Sequence, residues 1–225
     1  MRPDEGQPPR QAKIEHLCEL PVKVWIVYAM KDEPLRHRMT REQMRAYGAV
    51  AVQCGVRTAQ QLRAGHPDLT VQQLLEQNHL ELSWQEGPEA EPIFALFTEP
   101  AQITVFRNSI QRAVRFLQAE GVAEQPDAAR LPELIMAHEF FHYLAAEDAG
   151  MVIHQKLLPI FHLGPLAYRS RVRILSEIAA MAFARELLQL PYAPYVWDWV
   201  LLCSCDAVQG QKLYEYILRI EAEEA

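Results

Sequence analysis

Apolar residues recur along this chain in two rhythms, and the rhythm changes twice. Between residues 40 and 77 they return at helical spacing. Met44, Ala46 and Val50 follow an opening at Thr40 and Glu42, and Gly55 is expected to break the run. A second helix is expected over 58–64, a turn over 65–68, and a third helix over 71–77 with Thr70 as its cap. From Leu80 the pattern becomes strand-like: LELSW, a turn at Gly87 and Pro88, IFALFT, then Pro100 and the alternating ITVFR. These segments predict a small antiparallel sheet. Helical spacing returns over 109–119, ended by Gly121. It returns again from Pro132, which suits a first helical turn because its missing N–H has no partner to lose there. That helix is expected to reach Glu147 and to close near Gly150 in a left-handed cap. A connection of about 20 residues, a length that is usually functional, leads to a helix over 171–190 stopped by Pro191. Two more helices are expected over 193–203 and 207–221.

The pattern as a whole predicts an α+β fold: a mainly helical domain with a small antiparallel sheet and C-terminal helices. The polar, proline-rich start predicts a flexible lead over 1–20. A chain of 225 residues, half of them hydrophobic, suffices for a single domain over 21–225. With a net charge of -7 no general phosphate-binding surface is expected, and nucleic acid is excluded as a first partner. No run approaches the ~18 apolar residues of a membrane span. Cys18, Cys54, Cys203 and Cys205 form no CxxC pair, which points to a reducing cytoplasm.

The chemistry-bearing residues lie in the helix that Pro132 opens, which reads LPELIMAHEFFHYLAAED. Four residues are slightly more than one turn, so His138 and His142 project from one face and can both reach a metal ion. Glu139 stands about 100° around the axis, within reach of a water on that metal. Leu134, Ile135, Phe141 and Leu144 flank the motif, and unpaired imidazoles would be costly in such an apolar helix. Two carboxylates compete as the third ligand. Glu177 is the first choice, because it shares a helical face with Ile174, Ile178, Met181 and Ala184, so its charge is expected to point towards the core. The bland alternative is an i,i+4 pair with Arg173. Asp148 is the second choice, ten residues after His138, although Ala145 stands where such a pattern needs a turning glycine.

These residues resemble the ImmA/IrrE family of zinc-dependent metallopeptidases, whose core pairs an H-E-x-x-H helix with a later E-x-x-A-N-x-F-A-x-x-L-L-x-P helix. The second motif is matched by Glu177, Ala180, Phe183, Ala184, Leu187 and Leu188, with Met181 at the family's asparagine and Pro191 one residue later than the family's proline. The resemblance covers roughly residues 40–191. It implies a zincin-like domain, Zn2+ held by His138, His142 and Glu177, and Glu139 as general base. It also implies a peptide or protein substrate, a regulator among the candidates, since relatives cleave repressors.

An oxyanion donor is expected from Tyr168, His154, His162 or Arg171, all in or beside the long connection. That connection is itself a candidate lid, through the apolar Leu157, Leu158, Ile160 and Phe161. The strand 103–106 is read equally as a substrate-pairing edge or as ordinary sheet core. Phe94, Phe97, Trp197 and Trp199 are expected to be packing residues. The competing functional reading is a catalytically silent metallopeptidase fold serving as a regulator or scaffold.

Overall fold

The computed structural model describes residues 8–88, 92–122, 126–163 and 166–225. The chain begins with helices α1 (Arg10–Glu19), α2 (Val22–Ala29), α3 (Arg41–Gly65) and α4 (Val71–Gln77). Strands β1 (Glu81–Gln85), β2 (Ala95–Thr98) and β3 (Gln102–Phe106) follow. Next come α5 (Arg107–Ala119), α6 (Leu131–Glu147), the hairpin β4 (Leu157–Leu163) and β5 (Leu166–Arg171), and α7 (Ile174–Leu188), α8 (Val196–Cys205) and α9 (Ala207–Glu224). The α+β class therefore holds.

Local chemistry explains most helix ends. Thr40 and Thr70 each accept the N–H three residues on, while Gln43 and Gln73 bond back, so both α3 and α4 begin with complete capping boxes. Pro132 occupies the first turn of α6, as expected. Left-handed residues follow α4 (His79, φ 57°), α5 (Gly121, φ 71°, as expected) and α7 (Gln189, φ 52°), but Gly150 does not close α6 in this way. After α6 the chain turns at Asp148 instead, whose Oδ1 accepts the Gly150 N–H at 2.9 Å.

Three further expectations are corrected, and one is extended. Residues 10–19 of the supposed lead form α1, and Ile14 and Leu17 are fully buried in the same apolar cluster as the rest of the core. Gly55 does not break α3. It lies against the backbone of α7, where a Cβ would stand 2.1 Å from the Ala179 carbonyl oxygen. The sheet is mixed and not antiparallel. Its order is β1-β3-β2, with β1 parallel and β2 antiparallel to β3. Alternation identifies strands but does not fix which neighbour each one chooses. Finally, the connection between α6 and α7 contains the hairpin β4–β5, paired from Leu157↔Arg171 to Leu163↔Leu166. The side chains of 157–169 lie outside the described residues, so the lid expectation on Leu157, Leu158, Ile160 and Phe161 falls there.

The core sits between α2, α3, α6, α7 and α8. Trp25, Tyr28, Phe140, Phe141, Phe183, Trp197 and Trp199 are its largest buried side chains. Phe183 of α7 meets Phe140 and Phe141 of α6 at ring-centroid distances of 6.3 and 5.4 Å. Such aromatic pairs add about 0.5–1.5 kcal/mol each beyond the area they bury, and here they set the orientation of α6 against α7. Among the described residues no helix is long and apolar enough to cross a membrane.

Candidate metal centre

The facing sides of α6 and α7 bring three of the expected residues together. Nε2 of His138 and Nε2 of His142 are 3.1 Å apart, and each lies 3.3 Å from a different carboxylate oxygen of Glu177. Each residue offers one ligand atom to a group that could hold a metal ion. Three acceptors facing one point need a cation between them. Where no metal serves, protons on the imidazoles must. Burial opposes charge on His138, yet the Glu177 bond and the charge of Glu139 overcome it and lift the imidazole to about 9. Burial likewise opposes the charge of Glu177, and its bonds to the two imidazoles outweigh that, holding the carboxyl well below its usual range.

The histidine side chains are 14% and 17% exposed, whereas Glu177 is 48% exposed. The third residue therefore stands at the open side of the cleft and not in the core as its helical face suggested. Its partners are the two histidines and not Arg173. Asp148 lies outside the group, engaged with the Gly150 N–H. Glu139 is 8% exposed and lines two cavities that also include His138 and Glu177.

Two supports of this geometry were invisible in the sequence. Nδ1 of His142 lies 3.2 Å from Ser176 Oγ, and an Nδ1–H donated there leaves the Nε2 lone pair free for a metal. Glu33, 2% exposed, accepts the Leu35 N–H at 3.0 Å and the Ile174 N–H at 3.1 Å. The second bond anchors the N-terminus of α7, one turn before Glu177, with a carboxylate at the positive end of the helix dipole. Neither residue belongs to a recognisable motif, because each acts through a contact distant in sequence.

One cavity, of about 440 Å³, runs along β2 and includes Ala95, Leu96, Phe97, His142, His154 and Ser176. β2 is an edge strand, whereas β3 is flanked on both sides. The substrate-pairing edge suggested for 103–106 is therefore unavailable; of the two edge strands, β1 and β2, it is β2 that borders this cavity. The other cavity, of about 550 Å³, is walled by Phe94, Leu131, Leu134 and Trp197, and it also contains Tyr28, Lys31, Tyr195 and Asp198. Phe94, Phe97 and Trp197 thus line cavities as well as packing. Trp199 is purely internal, its indole N–H bonded to the Gly210 carbonyl at 2.8 Å.

Of the four expected oxyanion donors, His154 reaches the β2 cavity, but its Nε2 lies 2.9 Å from the Ala145 carbonyl, so that N–H is already committed. Arg171 lines a neighbouring cavity with His154 and Ser176, away from Glu139. The side chains of His162 and Tyr168 lie outside the described residues. Sequence reasoning missed Tyr195, which is 7% exposed and whose hydroxyl is buried with no partner among the described residues. Burial, with the nearby charges of Asp198 and Glu177, raises its phenol well above its ordinary value, so it stays a neutral O–H donor. Comparison with family models, with curated proteins and with solved structures finds no match to this chain.

Proposed function

We propose that the chain is a zinc-dependent peptidase with a zincin-like domain, using His138, His142 and Glu177 as ligands and Glu139 as general base. The observation that carries this reading is how closely the three ligand residues converge. Tetrahedral zinc with bonds of about 2.0–2.1 Å needs ligand atoms about 3.3–3.4 Å apart. Here the two imidazole Nε2 atoms are 3.1 Å apart, each lies 3.3 Å from its own oxygen of Glu177, and one ligand atom from each residue lies within 4.8 Å of the others. Three protein ligands also leave a fourth position open, as a catalytic site requires and a structural one does not. The motifs of α6 and α7 add the resemblance to ImmA/IrrE metallopeptidases.

Bound zinc would supply Lewis acidity, acidifying a water and polarising a carbonyl. The chain's own residues do the rest. Glu139, buried beside the ligands, takes the proton from the attacking water and passes it to the leaving amine. Ser176 holds the His142 ring, and Glu33 holds the first turn of α7. The free edge of β2 accepts an extended peptide along the cavity it borders. A protein substrate in the cytoplasm, a regulator by analogy with the resembled family, is part of the same proposal. The four free thiols agree with a reducing compartment.

The test is metal content by mass spectrometry, paired with cleavage of a quenched fluorescent peptide library. Wild type is expected to carry about one zinc per chain. His142→Ala and Glu177→Ala are expected to lose it. Glu139→Gln should keep zinc and lose cleavage by a factor of about 10² or more. No zinc in wild type purified without chelators refutes the reading. Zinc without cleavage in any arm leaves a silent metallopeptidase fold.

A further inference from the structure

The 550 Å³ cavity contains a charge that the catalytic reading does not use. Asp198, in the first turn of α8, is half-buried there. Its Oδ2 accepts the Tyr28 hydroxyl at 3.2 Å, and it has no ion-pair partner among the described residues. Lys31, the lysine among the described residues of the lining, is already engaged. Its Nζ pairs with Asp32 at 2.5 Å and lies 4.0 Å over the Tyr28 ring. Lys31 is thus shared with Asp32 and the Tyr28 ring, and Asp198 has no ion pair of its own among the described residues. Desolvation raises its carboxyl to about 6, opposed by Lys31 and the Tyr28 bond, so it is ionised at neutral pH. Tyr195, whose hydroxyl has no partner among the described residues, belongs to the same lining.

A cavity with apolar walls and, apart from Glu139 and Glu177, a half-buried carboxylate with no ion pair among the described residues fits a particular chemical class. It takes a group with a methylene stem and a protonated nitrogen head. His138, Glu139 and Glu177 form part of the same lining, so whatever enters lies next to the proposed scissile bond. We propose that this cavity is the side-chain subsite of the peptidase and that it accepts lysine or arginine. The stem would lie against Phe94, Leu134 and Trp197, and the cationic head would lie on Asp198. This inference rests on the peptidase reading above and adds the substrate class. Two carboxylates divide the labour: Glu139 serves the chemistry and Asp198 the choice of residue.

The experiment uses the zinc-loaded protein and two Nα-acetylated hydroxamates, one built on lysine and one on norleucine, which has the same stem without the amine. Calorimetry is expected to show the lysine compound binding on the order of tenfold or more tighter, as a charge-assisted bond to a desolvated carboxylate gives. Asp198→Asn, which keeps an acceptor for Tyr28, is expected to bring the ratio to about one. Tyr195→Phe should reduce it several-fold, and this carries the test if Asp198→Asn does not fold. Equal binding in wild type, with zinc present, overturns the subsite and leaves the peptidase reading intact. A ratio that survives Asp198→Asn overturns it too. So does lysine hydroxamate that binds only with its α-amine free, because the cation recognised would then be the chain terminus. Absence of zinc from wild type removes the peptidase reading itself, and it is measured before any hydroxamate is added.

Discussion

The contact between α3 and α7 gives the sharpest test of how this fold positions its candidate site. Gly55 lies in the middle of α3, where replacing glycine by alanine ordinarily stabilises a helix by about 0.5–1 kcal/mol. Here the added Cβ would stand 2.1 Å from the Ala179 carbonyl oxygen and 2.8 Å from the Phe183 nitrogen. Ordinary contact begins near 3.5 Å, and both obstacles are backbone atoms that no rotamer change can move aside. The helices must therefore separate by about 1 Å at this point. Overpacking of this kind costs about 1–3 kcal/mol, so Gly55→Ala is expected to destabilise despite its better helix propensity. The displaced helix carries Glu177 within two turns, and a ligand set tolerates errors of only about 0.2 Å. Zinc affinity should accordingly fall on the order of tenfold. Urea denaturation of the metal-free protein and competition with a chromophoric chelator read the two effects. Gly65→Ala, in the same helix with no atom within 4 Å of its added Cβ, is the control and is expected to be neutral or mildly stabilising. If Gly55→Ala behaves like Gly65→Ala, the close approach of α3 and α7 is not what the geometry implies.

Three other outcomes follow from named contacts. Glu33→Ala leaves the Ile174 and Leu35 N–H groups without their buried acceptor; it should lower stability by about 2–3 kcal/mol and weaken zinc binding, and Glu33→Gln should restore part of both. The carboxyl of Asp198 is raised from 3.8 to about 6, so its ionised form opposes folding above about pH 6, and this penalty disappears as pH falls below about 4. Asp198→Asn should therefore raise the melting temperature at pH 7.5 and not at pH 4, and an equal rise at both would show that charge burial is not the cause. Saturating zinc at about 100 times Kd should stabilise wild type by about 2.7 kcal/mol and leave His142→Ala unchanged.

Legibility in the sequence varied with the range of the interaction. The starts of α3, α4 and α6 were readable because capping boxes and first-turn prolines act within four residues. The pairing of His138 with His142 was readable for the same reason, since one helical turn determines it. Glu177 was found through its motif, but the reason offered for it, a charge facing the core, was not what the structure shows. α7 places it at the open side of the cleft. Ser176, Glu33 and Asp198 gave no local signal, because each acquires its role from a partner 34 to 170 residues away. Gly55 carried a signal that was misread: glycine marks either a break or a close approach, and only the neighbouring helix decides between them.

The sequence by itself therefore determined the α+β class, the helix that presents His138, Glu139 and His142, and the later helix that supplies a carboxylate, because periodicity and short spacing are properties of a single segment. Tertiary structure alone decided that β3 is central and β2 free, that α1 belongs to the core, that Asp148 is spent on a turn, and that Asp198 faces the same cavity as Glu139. Each of these depends on which surfaces meet once the apolar faces are buried, and burial joins residues that no local pattern relates.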